Sequence, residues 1–157
     1  MSEIRDHIEE WIQRCSEIRP ELGNFSICPF ASKATFHVIE TKIDDIRPID
    51  GYDVVFFVVE SHLDLNDLQN WSKKYNEMHS EWAFFEDCPE SNTFIKGIAT
   101  SNGKYNIIAM QNRQKLRQLR NILANTDYYK HWGDEFLHKI LGDDYESVKE
   151  KIKTPDF

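Results

Sequence analysis

The sequence predicts an α+β domain, a mostly antiparallel sheet of about five strands with helices packed on one face, built by residues 1–157 as a single unit. Three observations predict it. The apolar run at residues 54–59 is rich in Val and Phe and suits a strand covered on both faces. Apolar residues recur at helical spacing in the first segment and again beyond residue 113. Between them, Asn102-Gly103 separates two extended segments, a strong local signal for a hairpin.

Taken in order, Ile4, Ile8, Trp11, Ile12, Cys15 and Ile18 form one apolar stripe, with Glu3, Asp6, Glu9, Glu10 and Arg14 opposite it. That predicts an amphipathic helix, stopped by Pro20 and Gly23-Asn24. Residues 25–31 then form a connection carrying Cys28-Pro29-Phe30. Residues 35–40 are β-branched or aromatic for the most part and predict a strand. Pro48 and Asp50-Gly51 make a turn before residues 52–60, the expected central strand.

Asp64 is placed as the N-cap, with Asp67 in the first turn, of a helix bearing Leu68, Trp71, Tyr75 and Met78 and ending near His79. Residues 82–85 predict another strand, closed by Asp87-Cys88-Pro89 and the polar Glu90-Ser91-Asn92. Residues 94–100 and 104–110 are the two arms of the expected hairpin around Ser101-Asn102-Gly103. Leu116, Leu119, Ile122 and Leu123 predict a helix over residues 113–124. Thr126-Asp127 caps a further helical stretch through Tyr129, Trp132, Phe136 and Ile140, which Gly133 bends or splits and Gly142 ends. A short charged helix over residues 144–153 precedes Pro155. No repeat, linker or domain boundary interrupts this order.

Hydrophobic residues make up 40% of the chain and aromatic ones 13%, which rules out a disordered polymer and demands a packed core. The formal net charge of -8 opposes general attraction to nucleic acid or anionic lipid, because phosphate binding needs clustered cations. The longest apolar run falls far short of the roughly 20 residues of a membrane-spanning helix. The acidic segment at residues 1–19 lacks the basic flank and apolar stretch of a secretory signal. Three cysteines, an odd number, do not make a disulfide framework, so a reducing compartment, the cytoplasm, is expected.

Three groups of residues are candidate sites. Cys28 precedes Pro29 at the head of a turn, where free backbone N–H groups stabilise a thiolate. It is a candidate nucleophile or redox centre with His37 as its base, and equally an inert thiol in a rigid turn. Cys88-Pro89 repeats the dipeptide, so Cys28 and Cys88 could pair, or ligate a metal with His37, although no close Cys-x-x-Cys supports this. Cys15 lies on the apolar stripe and is assigned to the core.

Arg113, Arg117 and Arg120 follow i, i+4, i+7 spacing, with Lys104 and Lys115 nearby. Their guanidinium forks suit a phosphate or carboxylate, so they are candidate ligand-binding residues for a small anion or an acidic protein partner. The alternative is a solvated face pairing with the protein's own acidic surplus. His131, Glu135 and His138 would share a face on an unbroken helix, a spacing used by carboxylate-bridged metal sites, but they supply only part of a coordination shell. No metal is assigned. Neither a serine elbow nor a glycine-rich phosphate loop is present.

Ile27-Cys28-Pro29-Phe30-Ala31, following a helix that carries Trp11, resembles an uncharacterised bacterial family with a Leu-Cys-Pro-Phe-Ala motif. The resemblance covers the first 31 residues and, loosely, residues 100–105, where the family has a comparable Thr-Asn segment before an apolar strand. It implies that Cys28-Pro29-Phe30 is a site and not only a turn, and it names no reaction.

Two readings follow. The first is a binding or interaction module for a small anionic ligand or a protein partner, with self-association into a homodimer consistent with it. The second is a thiol-dependent enzyme or redox protein using Cys28. The first is preferred because it asks fewer residues to be special.

Overall fold

The computed structural model describes residues 3–91, 94–95 and 98–152. Met1, Asn92, Lys96, Gly97, Lys153 and Pro155, which belong to elements expected from the sequence, lie outside the described residues.

α1 (Glu3–Cys15) stops before the end of its apolar stripe. The Ser16 hydroxyl takes the Ile12 carbonyl, and the Cys15 carbonyl accepts from the Cys28 N–H at 2.9 Å. Both bonds divert the backbone from further helical turns, and Ile18 is left exposed. Short 3-10 turns at Pro20–Leu22 and Ala31–Lys33 flank the Cys28 connection.

β1 (Phe36–Glu40) and β2 (Val54–Val58) run parallel, Phe36 opposite Val54. α2 (Leu65–Met78) begins with a full capping box, in which Asp64 accepts from the Asp67 N–H and Asp67 accepts from the Asp64 N–H. β3 (Trp82–Asp87) follows, then the short pair β4 (Phe94–Ile95) and β5 (Ile98–Ala99), then β6 (Ile107–Asn112). The main sheet has the order β1-β2-β6-β3, with β6 antiparallel to both neighbours. α3 (Arg113–Ala124), α4 (Asp134–Leu141) and α5 (Tyr145–Ile152) complete the chain.

The α+β class holds, and the finer expectation is corrected. The main sheet has four strands, not about five, and it is mixed. Helices cover both of its faces. β2 is buried at every position, and its alternate side chains go to opposite sides. Val55 and Phe57 pack with Leu68 and Trp71 of α2 and with Ile43 and Ile46 of the crossover connection. Val54, Phe56 and Val58 pack with Ile8 of α1. A parallel pair cannot be joined by a tight turn, so residues 41–53 cross the sheet and contribute to its α2 side.

The hairpin expected around Asn102-Gly103 does not form. β5 pairs with β4, while β6 pairs with β2 and β3. Asn102 is buried because its side chain bonds inward, to Asp87, the Tyr105 carbonyl and the N–H groups of Lys104 and Tyr105. The helical stretch expected through Ile140 is split at Gly133, as that glycine predicts: a 3-10 turn at Tyr128–His131 gives way to extended Trp132, and α4 starts after Gly133. Beside the sheet, Cys15, Leu22 and Ile27 pack with Tyr128, Trp132 and Leu137 in a separate apolar cluster.

Candidate functional site

One face of α1 is committed to a single strip of backbone. His7, Trp11 and Arg14 stand one and two turns apart, and their side chains bond the carbonyls of Asn102, Thr100 and Ser101 at 2.9, 3.0 and 2.9 Å. The structure thus brings Trp11 to Thr100. On the inner side of the same strip, Asp87 at the end of β3 accepts from the Asn102 backbone and side-chain amides. Burial pushes the Asp87 carboxyl above its ordinary range, against the opposing pull of these hydrogen bonds.

Cys28 lies beside the C-terminal end of α1, where its N–H donates to the Cys15 carbonyl. It is exposed, and the nearby backbone N–H groups of Phe30 and Ala31 favour its thiolate. The chain crowded around it nevertheless raises its pKa, because the thiolate loses more hydration than those two dipoles return. Beside it, Cys15 is buried and pushed up to about 12, first by burial and then by the charge of Cys28. The Tyr128 hydroxyl closes the corner by donating to the Ile27 carbonyl.

His37 sits on the edge strand β1, its ring stacked on Tyr52 with centroids 4.8 Å apart. Cys88 is buried, with its sulfur 3.4 Å from the Ser91 hydroxyl. It is Cys15, not Cys88, that the fold places beside Cys28.

The basic residues of α3 are engaged by the protein itself. Arg113 donates through one terminal nitrogen to the carbonyls of Trp82, His79 and Asn76, which end α2 and begin β3. Arg117 and Arg120 bond the two carboxylate oxygens of Asp144 at 2.8 and 2.9 Å. Burial opposes ionisation of Asp144, but the two guanidinium groups outweigh it and hold the carboxyl below its usual range. Lys104 pairs with Glu3 and Lys115 with Asp53, at separate points on the surface.

Arg120 also forms part of a cleft of about 360 Å³ between the sheet and α4. Phe85, Trp132 and Phe136 give it an aromatic wall; Lys139 and Arg120 bring cations, and Glu86 and Asp87 lie at its sheet end. The Arg120 guanidinium lies 5.8 Å from the Phe85 ring centre. Ile27 and Thr100 border the cleft, so it reaches the Cys28 corner, although Cys28 and Arg117 do not line it. Trp132 also lines a neighbouring groove of about 490 Å³ with Phe94, His131 and Glu135. The buried Trp132 indole N–H has no acceptor among the described residues.

His131 and His138 are drawn to different neighbours by the break at Gly133. The His131 ring occupies the space where a side chain on Gly23 would start, and Gly23 itself is left-handed at φ +68°. The His138 ring stacks on Tyr145 with centroids 3.4 Å apart. Among the described residues no group of three His, Cys, Asp or Glu side chains is set to hold a metal ion, and no helix is long and apolar enough to cross a membrane.

Sequence reasoning missed Asp87, Trp132 and Lys139. Asp87 was legible only as part of a turn, and Trp132 only as part of a helical stripe; their meeting depends on the tertiary path of the chain. No family model matches this chain, and no curated protein or solved structure is significantly similar to it.

Proposed function

We propose that the protein is a binding module for a small anionic ligand carrying an aromatic or apolar body, held in the cleft between the sheet and α4. The observation that carries this reading is the meeting of Lys139 and Arg120 with the aromatic wall of Phe85, Trp132 and Phe136 in one concave site. Arg120 is already matched by Asp144, which leaves Lys139 as the cation with no salt-bridge partner among the described residues. The leftover Trp132 donor adds a group that an acceptor-bearing ligand would satisfy.

The thiol-enzyme alternative calls for an ionised Cys28 with a base beside it. Burial shifts the thiol the other way, and His37 is occupied against Tyr52 on the edge strand. The binding reading also keeps the cytoplasmic location expected from the unpaired cysteines.

Phenyl phosphate is the appropriate probe, because it joins a ring to a doubly charged acceptor. Titration at low ionic strength, followed by the indole N–H resonances, is expected to give saturable binding that shifts Trp132 and weakens about tenfold in Lys139→Ala, the loss of one charge-assisted contact. Shifts that are non-saturable, or equal in wild type and Lys139→Ala, would remove the cleft from consideration.

A further inference from the structure

We propose that Cys15 and Cys28 form a dithiol that closes to an intramolecular disulfide on exposure to a low-molecular-weight disulfide such as oxidised glutathione. The two residues are joined directly by a backbone hydrogen bond, Cys28 N–H to Cys15 carbonyl, at 2.9 Å. One such bond keeps the two Cα atoms within roughly 7 Å of each other, the sum of the bonded distances between them. Disulfides take Cα separations of about 4.4–6.8 Å, so the two cysteines lie within bridging reach.

The two thiols differ in the way a two-step exchange requires. Cys28 is exposed and meets a reagent from solution first. Cys15 is buried in the cluster with Leu22, Ile27 and Tyr128, out of reach of a bulky reagent but next to Cys28. Cys88 is enclosed against Ser91 and takes no part.

The chemistry is ordinary thiol–disulfide exchange. The Cys28 thiolate attacks one sulfur of glutathione disulfide, expelling one glutathione thiolate and leaving a mixed disulfide. Cys15 then loses its proton and attacks the Cys28 sulfur, expelling the second glutathione thiolate. The two cysteines give up two electrons; the reagent is reduced to two thiols, whose protons come from Cys15 and Cys28. Because both cysteine pKa values are raised, closure is slow at neutral pH and accelerates with rising pH. The bond would tie the end of α1 to the connection carrying Ile27, one border of the cleft. It stands independently of the anion reading, since neither cysteine lines that cleft.

The test equilibrates the whole protein in glutathione buffers from fully reduced to fully oxidised, quenches with acid, alkylates the remaining thiols and maps tryptic peptides by mass. Trypsin spares the Arg19–Pro20 bond, so Cys15 and Cys28 remain together on the peptide of residues 15–33, while Cys88 falls on another. In oxidised buffer that peptide is expected to lose two hydrogens and both alkylation sites together, with Cys88 still alkylated. Cys88→Ser should behave as wild type, and Cys15→Ser should stop at the glutathione adduct on Cys28. If wild type also stops at that adduct, if Cys88 enters the bond, or if both thiols remain free in fully oxidised buffer, the proposal is overturned.

Discussion

Arg120 of α3 bonds Asp144, at the start of the last helical segment, at 2.9 Å, and its other terminal nitrogen takes the Ile140 carbonyl at 2.7 Å. One side chain therefore neutralises a buried carboxylate and caps the end of α4. Arg117 completes the fork from a more exposed position.

Replacing Asp144 by Asn would leave the half-buried Arg120 charge without its counter-ion, and a loss of about 2 kcal/mol is expected. The folded-state pKa of Asp144 lies below its unfolded value. Its contribution is thus complete above about pH 4, the unfolded value, and is lost as pH falls through the folded one. Urea midpoints of wild type and Asp144→Asn should differ at pH 7 and converge on acidification. A constant difference would assign the loss to packing and not to charge.

Asp87 has the opposite sign. Its folded pKa is raised, so the folded state holds the proton more tightly, and stability falls as pH climbs from the unfolded value of about 4 through the folded one. Asp87→Asn keeps an acceptor for the Asn102 amides and removes the buried charge. The variant is expected to equal or exceed wild type in urea midpoint at pH 7 and to lose this slope. A large destabilisation at pH 7 would mean that the ionised form is the one the fold requires.

The raised pKa of Cys28 leaves less thiolate at neutral pH than in a free cysteine peptide. Iodoacetamide should therefore modify Cys28 more slowly than the peptide at pH 7, with the rate still rising beyond the pH at which the peptide levels off. Cys28→Ser identifies the signal. Faster modification than the peptide would reverse the argument against a nucleophilic role.

Elements that depend on local chemistry were legible: the Asp64 cap and the apolar run of β2 appear where the residues place them, and the stripe of α1 does so as far as Cys15. Enclosure of β2 on two sides already implied two covering layers, so helices on one face alone contradicted the clearest signal in the chain. Strand pairing was not legible. Asn102-Gly103 has turn chemistry, but the inward bonds of Asn102 to Asp87 decide the path, and those residues are far apart in sequence. The cleft was hidden for the same reason. Arg120 stood out by its spacing, whereas its neighbours Phe85, Trp132 and Lys139 come from three separate segments.

Trp11 and Thr100 are bonded across 89 positions of chain, and His7 and Asn102 across 95. During synthesis the first helix emerges long before the strip that receives it, so the side chains of His7, Trp11 and Arg14 find their carbonyl partners only after residues 100–102 have followed. Docking of that helix closes a long loop, and the entropy of that closure makes it a late event in folding.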